Sequence, residues 1–404
     1  MEIASDESIS VSTFEWPAGF YADAGHAGLK ADANVDDFGW LVSKTPADAA
    51  GVYTTNQFQA APTALTKQTI NLAHQLQAVV MNSGNANSCT GVQGEHDAAV
   101  MQQAAADKLG IAANLVGVAS TGVIGEVLPV DKITNGIAKL GLTKNDGVTK
   151  AVLTTDTHAK TITVKCLIDN QPVTISGFCK GSGMIHPNMA TMLGFVTTDA
   201  AIAGDQLQHL LSTTVDQTFN QITVDGDTST NDMVVVMANG QAGNQPLNAD
   251  HEDYPTFVKA FKLVLSHLAK EIAGDGEGAS KLVEVNVAGA YNDHEGQQVA
   301  KAIVGSNLVK AMIFGEDANW GRVMQAIGQT DAHVDLNGVG VAINGIQMVT
   351  NSLAADYSEE AVAATLKKNV VTIDVDLHAG TATGTAWGCD LTYKYVQINA
   401  SYRS

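Results

Sequence analysis

The spacing of apolar side chains predicts three helices along this chain. The clearest covers residues 254–268, where apolar side chains recur every three or four positions, as on the buried face of an amphipathic helix. Residues 95–109 are rich in alanine and stop at Gly110, which predicts a helix that ends with a glycine cap. A third set of apolar residues has helical spacing between positions 207 and 215. We expect all three apolar stripes to face the core.

Strands are predicted where apolar residues alternate with polar ones or form short continuous runs. At 370–377 the alternation is regular, which is typical of a strand with one buried face and one face in water. Residues 233–238 are apolar throughout, so both faces of that strand should be covered. The remaining candidate strands are 77–82, 115–120, 161–168 and 282–288. This mixture predicts an α/β (α+β) fold in which helices pack over sheets, with a surface loop at 239–250.

The net charge of −20 limits the partners that the chain can bind. Its 404 residues include 42 acidic and 22 basic side chains, and the only arginines are Arg322 and Arg403. Such a composition offers no basic surface for a phosphate backbone, so we expect no nucleic acid as a partner. No apolar run approaches the length of a membrane span, and the N-terminal segment lacks the features of a signal peptide. We therefore expect a cytoplasmic protein that does not bind a membrane.

Four cysteines are present, and no two of them form a Cys-x-x-Cys pair. This spacing does not support a zinc site or a thioredoxin-like site, and free buried thiols in a reducing cytosol are the simplest interpretation. Asp225, Asp227 and Asp232 could bind a metal, but their order does not fit a calcium loop, and we favour a polar network that shapes a cleft. We predict no bound cofactor and no metal.

One segment near the middle of the chain has the composition of a self-cleavage site. Residues 180–194 read Lys-Gly-Ser-Gly-Met-Ile-His-Pro-Asn-Met-Ala-Thr-Met-Leu-Gly. In a strained turn the hydroxyl of Thr191 could attack the carbonyl of Ala190, whose small side chain offers little steric resistance. Hydrolysis of the ester would leave Thr191 as a new N-terminus, and its α-amine, with a pKa of about 8, could take the hydroxyl proton. The alternative is a loop followed by a buried threonine.

Residues 180–194 and four other segments resemble segments of one enzyme family, and they occur along the chain in the same order as in that family. The others are 81–91 (Met-Asn-Ser-Gly-Asn-Ala-Asn-Ser-Cys-Thr-Gly), 120–125 (Ser-Thr-Gly-Val-Ile-Gly), 223–232 (Thr-Val-Asp-Gly-Asp-Thr-Ser-Thr-Asn-Asp) and 319–322 (Asn-Trp-Gly-Arg). Together they resemble the ornithine acetyltransferases, which are the glutamate N-acetyltransferases of arginine biosynthesis. The resemblance runs from the N-terminal region to the final residues.

The resemblance implies a fold and an assembly. Stacked β-sheets flanked by helices would be shared by two intertwined chains, an alpha chain of residues 1–190 and a beta chain of residues 191–404. Cleavage between Ala190 and Thr191 would produce them, and two copies of each would form a heterotetramer. The residues alone show no linker or shift in composition that marks a domain boundary.

The resemblance also implies roles for individual residues. Thr191 would be the nucleophile, and Thr121 with Gly122 would form the oxyanion hole. The family binds its substrate at six matching positions, which are Thr154, Lys180, Thr191, Glu277, Asn399 and Ser404. The family commonly has threonine at the last of these positions, and Ser404 keeps the hydroxyl but lacks the methyl group.

The implied activity is acetyl transfer in two steps. N-acetylornithine would acetylate Thr191 and release ornithine, and glutamate would then take the acetyl group to give N-acetylglutamate. Many members of the family also accept acetyl-CoA as a donor. One alternative is an N-terminal-nucleophile aminopeptidase or amidase, in which water accepts the acyl group. Another is a binding protein with a strained loop at 181–194. The cation of Lys180 and the anion of Glu277 favour an amino-acid acceptor.

Several of these residues have simpler interpretations when taken singly. Residues 116–122 suit a strand that ends in an ordinary glycine turn, and Lys180 and Glu277 suit exposed surface charges. His186 could act as a general base, but a terminal amine makes that unnecessary, so we favour a histidine that stabilises a turn. The glycine-rich segment 274–281 lacks the residue order of a phosphate-binding loop, which excludes that site.

Overall fold

The computed structural model describes residues 8–186 and 192–401 of the chain. The strands in these ranges are β1 (Ile9–Ser12), β2 (Phe20–Gly25), β3 (Phe38–Tyr53), β4 (Gln75–Asn82), β5 (Val116–Ser120), β6 (Lys160–Ile168), β7 (Gln171–Lys180), β8 (Leu193–Thr198), β9 (Met233–Ala238), β10 (Leu282–Ala290), β11 (Gly340–Ile343), β12 (Ile346–Thr350), β13 (Leu353–Ala354), β14 (Val370–Asp376) and β15 (Ala382–Cys389). The helices are α1 (Ala61–Ala73), α2 (Gly91–Leu109), α3 (Val130–Lys139), α4 (Gly147–Ala151), α5 (Gly204–Val215), α6 (Tyr254–Gly274), α7 (Asp293–Gly305), α8 (Asn307–Phe314), α9 (Trp320–Gly328), α10 (Glu359–Leu366) and α11 (Tyr393–Ser401), with short 3₁₀ turns at Ala113–Leu115 and Phe219–Gln221.

A nine-stranded sheet combines strands from both halves of the chain. Its order is β1-β6-β7-β8-β9-β3-β4-β5, and β2 also pairs with β3. β8 runs antiparallel to β7 on one side and parallel to β9 on the other. Since β7 precedes the 190/191 bond and β8 follows it, cleavage there would leave two chains that share one sheet. This agrees with the intertwined arrangement that the resemblance implies.

Helix α6 packs between the two sheets of the fold. Phe257, Phe261 and Leu268 on its apolar stripe are fully buried, and the helix contacts β6 and β7 of the larger sheet as well as β10 and β15 of the smaller one. The helix predicted at 254–268 is therefore confirmed and extends to Gly274. The helix predicted before Gly110 is also confirmed, because Gly110 caps α2 in the left-handed conformation at φ 67°.

The smaller sheet has six strands in the order β13-β12-β11-β14-β10-β15. Its core includes buried residues of α7, α8, α9 and α10. In β14, Ile373 and Val375 are buried whereas Asp374 between them is exposed, so the predicted alternation is confirmed. The fold is thus an α/β arrangement of stacked sheets flanked by helices.

Three of the cysteines are buried free thiols, as predicted: Cys166, Cys179 and Cys389. Cys89 is exposed, so the prediction was wrong for this residue. It adopts a left-handed conformation (φ 57°) in the loop between β4 and α2. Within the described ranges, no helix has the length and apolarity to cross a bilayer.

Candidate active site

A cleft of about 220 Å³ collects residues from six separate parts of the fold. Its lining includes every predicted site residue that the structure describes, which are Thr121, Gly122, Thr154, Lys180, Glu277 and Asn399. Ala190, Thr191 and Ser404 lie outside the described residues. The cleft also has residues that were not predicted to bind substrate, namely Ile124, Thr155, Gly183, Met184, Asp225, Asp227, Ser229, Asn231 and Tyr395.

The turn that follows β5 has little freedom to move. Thr121 donates its backbone N–H to the carbonyl of Asn82 at 3.0 Å. Gly122 has φ 132°, a conformation that other residues rarely adopt, and a Cβ atom at this position would lie 2.4 Å from the carbonyl carbon of Gly84. The side-chain amide of Asn231 donates to the carbonyl of Ser120 at 2.8 Å. The glycine and these hydrogen bonds fix a turn whose donors can be aimed at one point in the cleft.

Lys180 ends β7 at the cleft and is 8% exposed. The alternative of an exposed surface charge is therefore wrong for this residue. Within the described part of the chain, its Nζ makes no hydrogen bond and no ion pair, whereas Lys160 on the adjacent strand is held by two carboxylates. A buried lysine Nζ that makes no direct ion pair is suited to bind an anionic group of a ligand.

A buried charged cluster lies behind Lys180. Lys160 Nζ is 2.7 Å from Asp156 Oδ1 and 2.6 Å from Asp275 Oδ2. Asp156 Oδ1 also accepts the backbone N–H of Gly181 at 2.6 Å. Burial alone would raise the pKa of Asp156, but the charges of Lys180 and Lys160 and these hydrogen bonds lower it to about 2. The ionised carboxylate therefore compensates two buried cations and holds the chain at the start of the 181–186 segment.

We expect Asp156→Asn to destabilise the protein in a pH-dependent way. Because the folded-state pKa of Asp156 is about 2 and its usual value is 3.8, the carboxylate stabilises the fold fully above the higher value, and this contribution is lost as the pH falls through the lower one. At pH 7 the variant should lose about 2 kcal/mol of unfolding free energy. Urea unfolding at pH 7 and pH 3 measures the difference, which should shrink at pH 3.

Asp146→Asn is a matched control for that experiment. Asp146 also faces a lysine four residues later, but the Asp146–Lys150 pair is 3.9 Å apart and both side chains are more than half exposed. Exposed pairs of this kind contribute about 0.3–0.5 kcal/mol. Equal destabilisation by Asp146→Asn and Asp156→Asn would contradict the role of the buried cluster.

Glu277 is the anionic counterpart of Lys180 in the cleft. It is 8% exposed, so the surface-charge alternative is wrong here too. Its Oε2 accepts a hydrogen bond from the side-chain amide of Asn399 at 2.7 Å, which connects the 274–281 loop to α11. A Cβ atom on Gly183 would lie 2.4 Å from the Glu277 carboxyl carbon, so the glycine allows this carboxylate to lie against the backbone.

Asp225 holds the segment that leads to the predicted cleavage site. Its two carboxylate oxygens accept the backbone N–H groups of Met184 at 2.7 Å and Ile185 at 2.9 Å. Met184 has φ 56°, which is unfavourable for a residue with a side chain, so these bonds stabilise a strained turn. The hydroxyl of Tyr395 also donates to Asp225 at 3.3 Å. The polar network predicted for 223–232 is therefore present at this residue.

His186 has the environment of a structural residue. Its Nδ1 lies 3.0 Å from Thr223 Oγ1, and its carbonyl accepts the hydroxyl of Thr228 at 2.9 Å. Burial and the charge of Lys301 lower its pKa to about 4, so the imidazole is neutral at pH 7. These contacts connect the 181–186 segment to the 223–232 segment and support the turn-stabilising interpretation.

A cluster of metal-ligand residue types lies elsewhere, at the turn between β6 and β7. Ligand atoms of Asp169, His251 and Asp253 come within 4.8 Å of one another. Their polar atoms already bond within the protein: Asp253 accepts the Asp169 N–H at 2.7 Å, and His251 Nδ1 accepts the Asp253 N–H at 3.1 Å. These bonds connect the turn to the start of α6, and the cluster lies outside the cleft.

Comparison with known proteins places the chain in a family. The ArgJ family model matches residues 21–404. "Arginine biosynthesis bifunctional protein ArgJ" of Lactiplantibacillus plantarum is 61% identical over 404 residues, covering 100% of both chains. The protein of the same name from Oceanobacillus iheyensis is 53% identical over 96% of this chain and 95% of its own. A crystal structure of Arginine biosynthesis bifunctional protein argJ from Bacillus halodurans is 55% identical, with a TM-score of 0.52 over 52% of this chain and 100% of that chain. This chain therefore belongs to the ArgJ family.

Proposed function

We propose that this protein transfers an acetyl group from N-acetylornithine to glutamate through an acetyl ester on Thr191. It is an acyltransferase of arginine biosynthesis, as its family and the names of its relatives indicate. The observation that supports the residue-level proposal is the cleft, where the cation of Lys180 and the carboxylate of Glu277 occur together with the turn at Thr121 and Gly122.

In the first step, Thr191 Oγ attacks the acetyl carbonyl of N-acetylornithine while the α-amine of Thr191 takes the hydroxyl proton. Negative charge develops on the carbonyl oxygen, and donors of Thr121 and Gly122 stabilise it. The proton passes to the leaving nitrogen, ornithine departs and the acetyl ester remains. Glutamate then attacks the ester with its neutral α-amine, and the same donors stabilise the second tetrahedral intermediate. The bond between the acyl carbon and Thr191 Oγ breaks, the proton lost by the glutamate nitrogen passes through the Thr191 α-amine to Oγ, and N-acetylglutamate leaves.

Charge complementarity between the cleft and N-acetylornithine accounts for the choice of this molecule as the acetyl donor. N-acetylornithine carries a carboxylate and a side-chain ammonium, and the cleft offers one buried group of each opposite sign. We assign the substrate carboxylate to Lys180 and the ammonium to Glu277. Asn399 orients the Glu277 carboxylate through its 2.7 Å hydrogen bond, and Thr154 lines the same cleft.

Glu277→Gln should weaken the binding of N-acetylornithine and leave self-cleavage intact. The substitution keeps the shape of the side chain and removes the charge that faces the ammonium. We expect KM for N-acetylornithine to rise about tenfold, which corresponds to about 1.4 kcal/mol, with the cleaved fraction unchanged on a denaturing gel. Glu284→Gln is a suitable control. Glu284 lies on β10, where its carboxylate is 2.7 Å from Lys270 Nζ, and it does not line the cleft. Unchanged kinetics in Glu277→Gln would remove Glu277 from the site.

Self-cleavage at Ala190-Thr191 is part of the proposal, and so is the assembly of the products. The shared nine-stranded sheet would keep the chains 1–190 and 191–404 together. The Bacillus halodurans chain covers 52% of this chain, close to the share that follows Thr191. We further propose a heterotetramer of two alpha and two beta chains, with Ser404 of the beta chain in the site. Native mass spectrometry would measure the assembly directly.

Acetyl-CoA is proposed as a second acetyl donor, which would enter as a substrate rather than as a bound cofactor. We place the reaction in the cytoplasm, where unpaired thiols such as Cys166 and Cys179 stay reduced. The test is an acetyl-transfer assay with N-acetylornithine and glutamate, run with and without acetyl-CoA. Ornithine and N-acetylglutamate should form in equal amounts. Release of acetate in place of N-acetylglutamate would show instead that water is the acceptor, as in an amidase.

A further inference from the structure

Ser182 is a buried residue in the segment that borders the cleft, and none of the steps above gives it a role. It is 1% exposed. Its hydroxyl donates to the carbonyl of Asp275 at 2.7 Å, and its own carbonyl accepts the backbone N–H of Glu277 at 2.9 Å. Two hydrogen bonds from one residue therefore join the 181–186 segment to the 274–281 loop.

The buried charged cluster joins the same segment and loop a second time. The backbone N–H of Gly181 donates to Asp156 Oδ1 at 2.6 Å, and that oxygen also accepts Lys160 Nζ at 2.7 Å. On its other side, Lys160 Nζ donates to Asp275 Oδ2 at 2.6 Å. These contacts and the hydrogen bonds of Ser182 form a closed ring, so neither backbone can shift without breaking a buried hydrogen bond.

Both charged groups of the cleft are attached to this ring. Lys180 is the last residue of β7 and directly precedes Gly181. Glu277 is bonded to Ser182 through its backbone N–H, and its carboxylate lies against Gly183, where a Cβ atom would be 2.4 Å from the carboxyl carbon. The ring therefore sets the spacing between the cation of Lys180 and the carboxylate of Glu277.

We propose that Ser182 determines the length of donor that the cleft accepts, because it holds these two charged groups at the spacing of an ornithine chain. The inference rests on the proposed function, in which the substrate carboxylate binds Lys180 and the ammonium binds Glu277. Nα-acetyllysine carries the same charges on a chain that is one methylene longer. Between two fixed charges, the longer chain must move its acetyl group away from the turn at Thr121 and Gly122, and a misplacement of about 1 Å can cost about 100-fold in rate.

Ser182→Ala should reduce the discrimination between the two donors. Alanine removes the hydroxyl that holds the Asp275 carbonyl, so the loop can shift and Glu277 can move back to accommodate the longer chain. We expect the wild type to prefer N-acetylornithine over Nα-acetyllysine about 100-fold in kcat/KM, within the range that one methylene provides, and the variant only about tenfold. Release of ornithine and of lysine measures the two rates in one preparation, so incomplete cleavage cancels in the ratio.

Ser176→Ala is a matched control for this positioning role. Ser176 lies on β7, is also 1% exposed and donates its hydroxyl to the carbonyl of Glu15 at 2.6 Å, but it does not line the cleft. Its variant loses a similar buried hydrogen bond, so it should unfold at a lower temperature and keep the wild-type ratio of the two donors. An equal loss of discrimination in both variants would reflect general loosening of the fold, and the proposal would be wrong.

An unchanged ratio in Ser182→Ala also overturns the role of Ser182, and so does a wild type that uses both donors equally well. Should the alanine variant fail to fold, Ser182→Cys replaces the hydroxyl with a weaker donor and should give an intermediate ratio, whereas an unchanged ratio would again contradict the proposal. The wild-type reaction separates this inference from the proposed function. A wild-type enzyme that releases no ornithine from N-acetylornithine contradicts the function, whereas normal turnover with a ratio that Ser182→Ala leaves unchanged contradicts only the role of Ser182.

Discussion

Thr191→Ala should remain one uncut chain of 42.1 kDa and transfer no acetyl group. Alanine removes the hydroxyl that would attack the Ala190 carbonyl, and no ester can form at that position. The same hydroxyl would carry the acetyl group, so both activities depend on one atom. Loss of a nucleophile is among the largest effects of a single substitution in an enzyme, about 10⁶-fold where an activated hydroxyl has been removed. We expect transfer to fall below the detection limit.

Intact mass spectrometry and an ornithine-release assay measure the two outcomes in one preparation. Wild-type protein should give two masses, for residues 1–190 and 191–404. Thr191→Ser is the informative comparison, because serine keeps a hydroxyl and an α-amine at the new N-terminus. It should be cut and should retain part of the transfer rate. Cleavage of Thr191→Ala between residues 190 and 191 would show that another group is the nucleophile.

The helices and strands could be predicted from the sequence where the residues on their buried face are apolar. That condition fails in α1, whose buried face carries threonines. Thr63 donates its hydroxyl to the carbonyl of Asn231 at 2.9 Å, and Thr66 donates to that of Val118 at 2.6 Å. Because buried hydroxyls satisfied in this way look polar in the sequence, no apolar stripe marks the helix.

Strand β3 was missed for a different reason. It runs from Phe38 to Tyr53, but Pro46 and its polar neighbours interrupt the apolar pattern in the middle. The pairing with β4 shifts register between Val42 and Ala47, so the strand accommodates the proline at an irregularity. A proline within an apolar run argues against a strand when only the sequence is known. The bulge becomes visible only with the neighbouring strands in place.

Six members of the cleft could be named from motifs, but the other lining residues and the environment of the six could not. Lys180 and Glu277 are almost a hundred residues apart, and each alone looks like an exposed charge. Their burial depends on groups that other segments contribute, such as Asp156 behind Lys180 and Asn399 beside Glu277. Such compensation is a property of the folded chain, because a buried charge is tolerated only when its partners are in place.

Gly122→Ala should reduce acetyl transfer more than Thr121→Ala does. Removing the Thr121 hydroxyl deletes at most one donor, which typically lowers a rate about 10²–10³-fold. An alanine at 122 would place its Cβ 2.4 Å from the Gly84 carbonyl carbon and 2.6 Å from the Asn85 nitrogen, at φ 132°. Since both neighbours are backbone atoms, the turn itself must move, and every donor that it carries is displaced from the oxyanion. We expect a loss of about 10³-fold or more.

Gly125→Ala separates this displacement from simple backbone strain. Gly125 belongs to the same 120–125 segment and also has a positive φ, 82°, but a Cβ there would meet no atom within 4 Å. It should cost about 1–2 kcal/mol of stability while keeping transfer within about threefold of the wild type, which is under 1 kcal/mol in activation free energy. Transfer rates of fully cleaved protein, with thermal unfolding alongside, make the comparison. If Gly122→Ala and Gly125→Ala were equally active, the turn at Gly122 would not form the oxyanion hole, because displaced donors cannot stabilise the oxyanion that develops in each half-reaction.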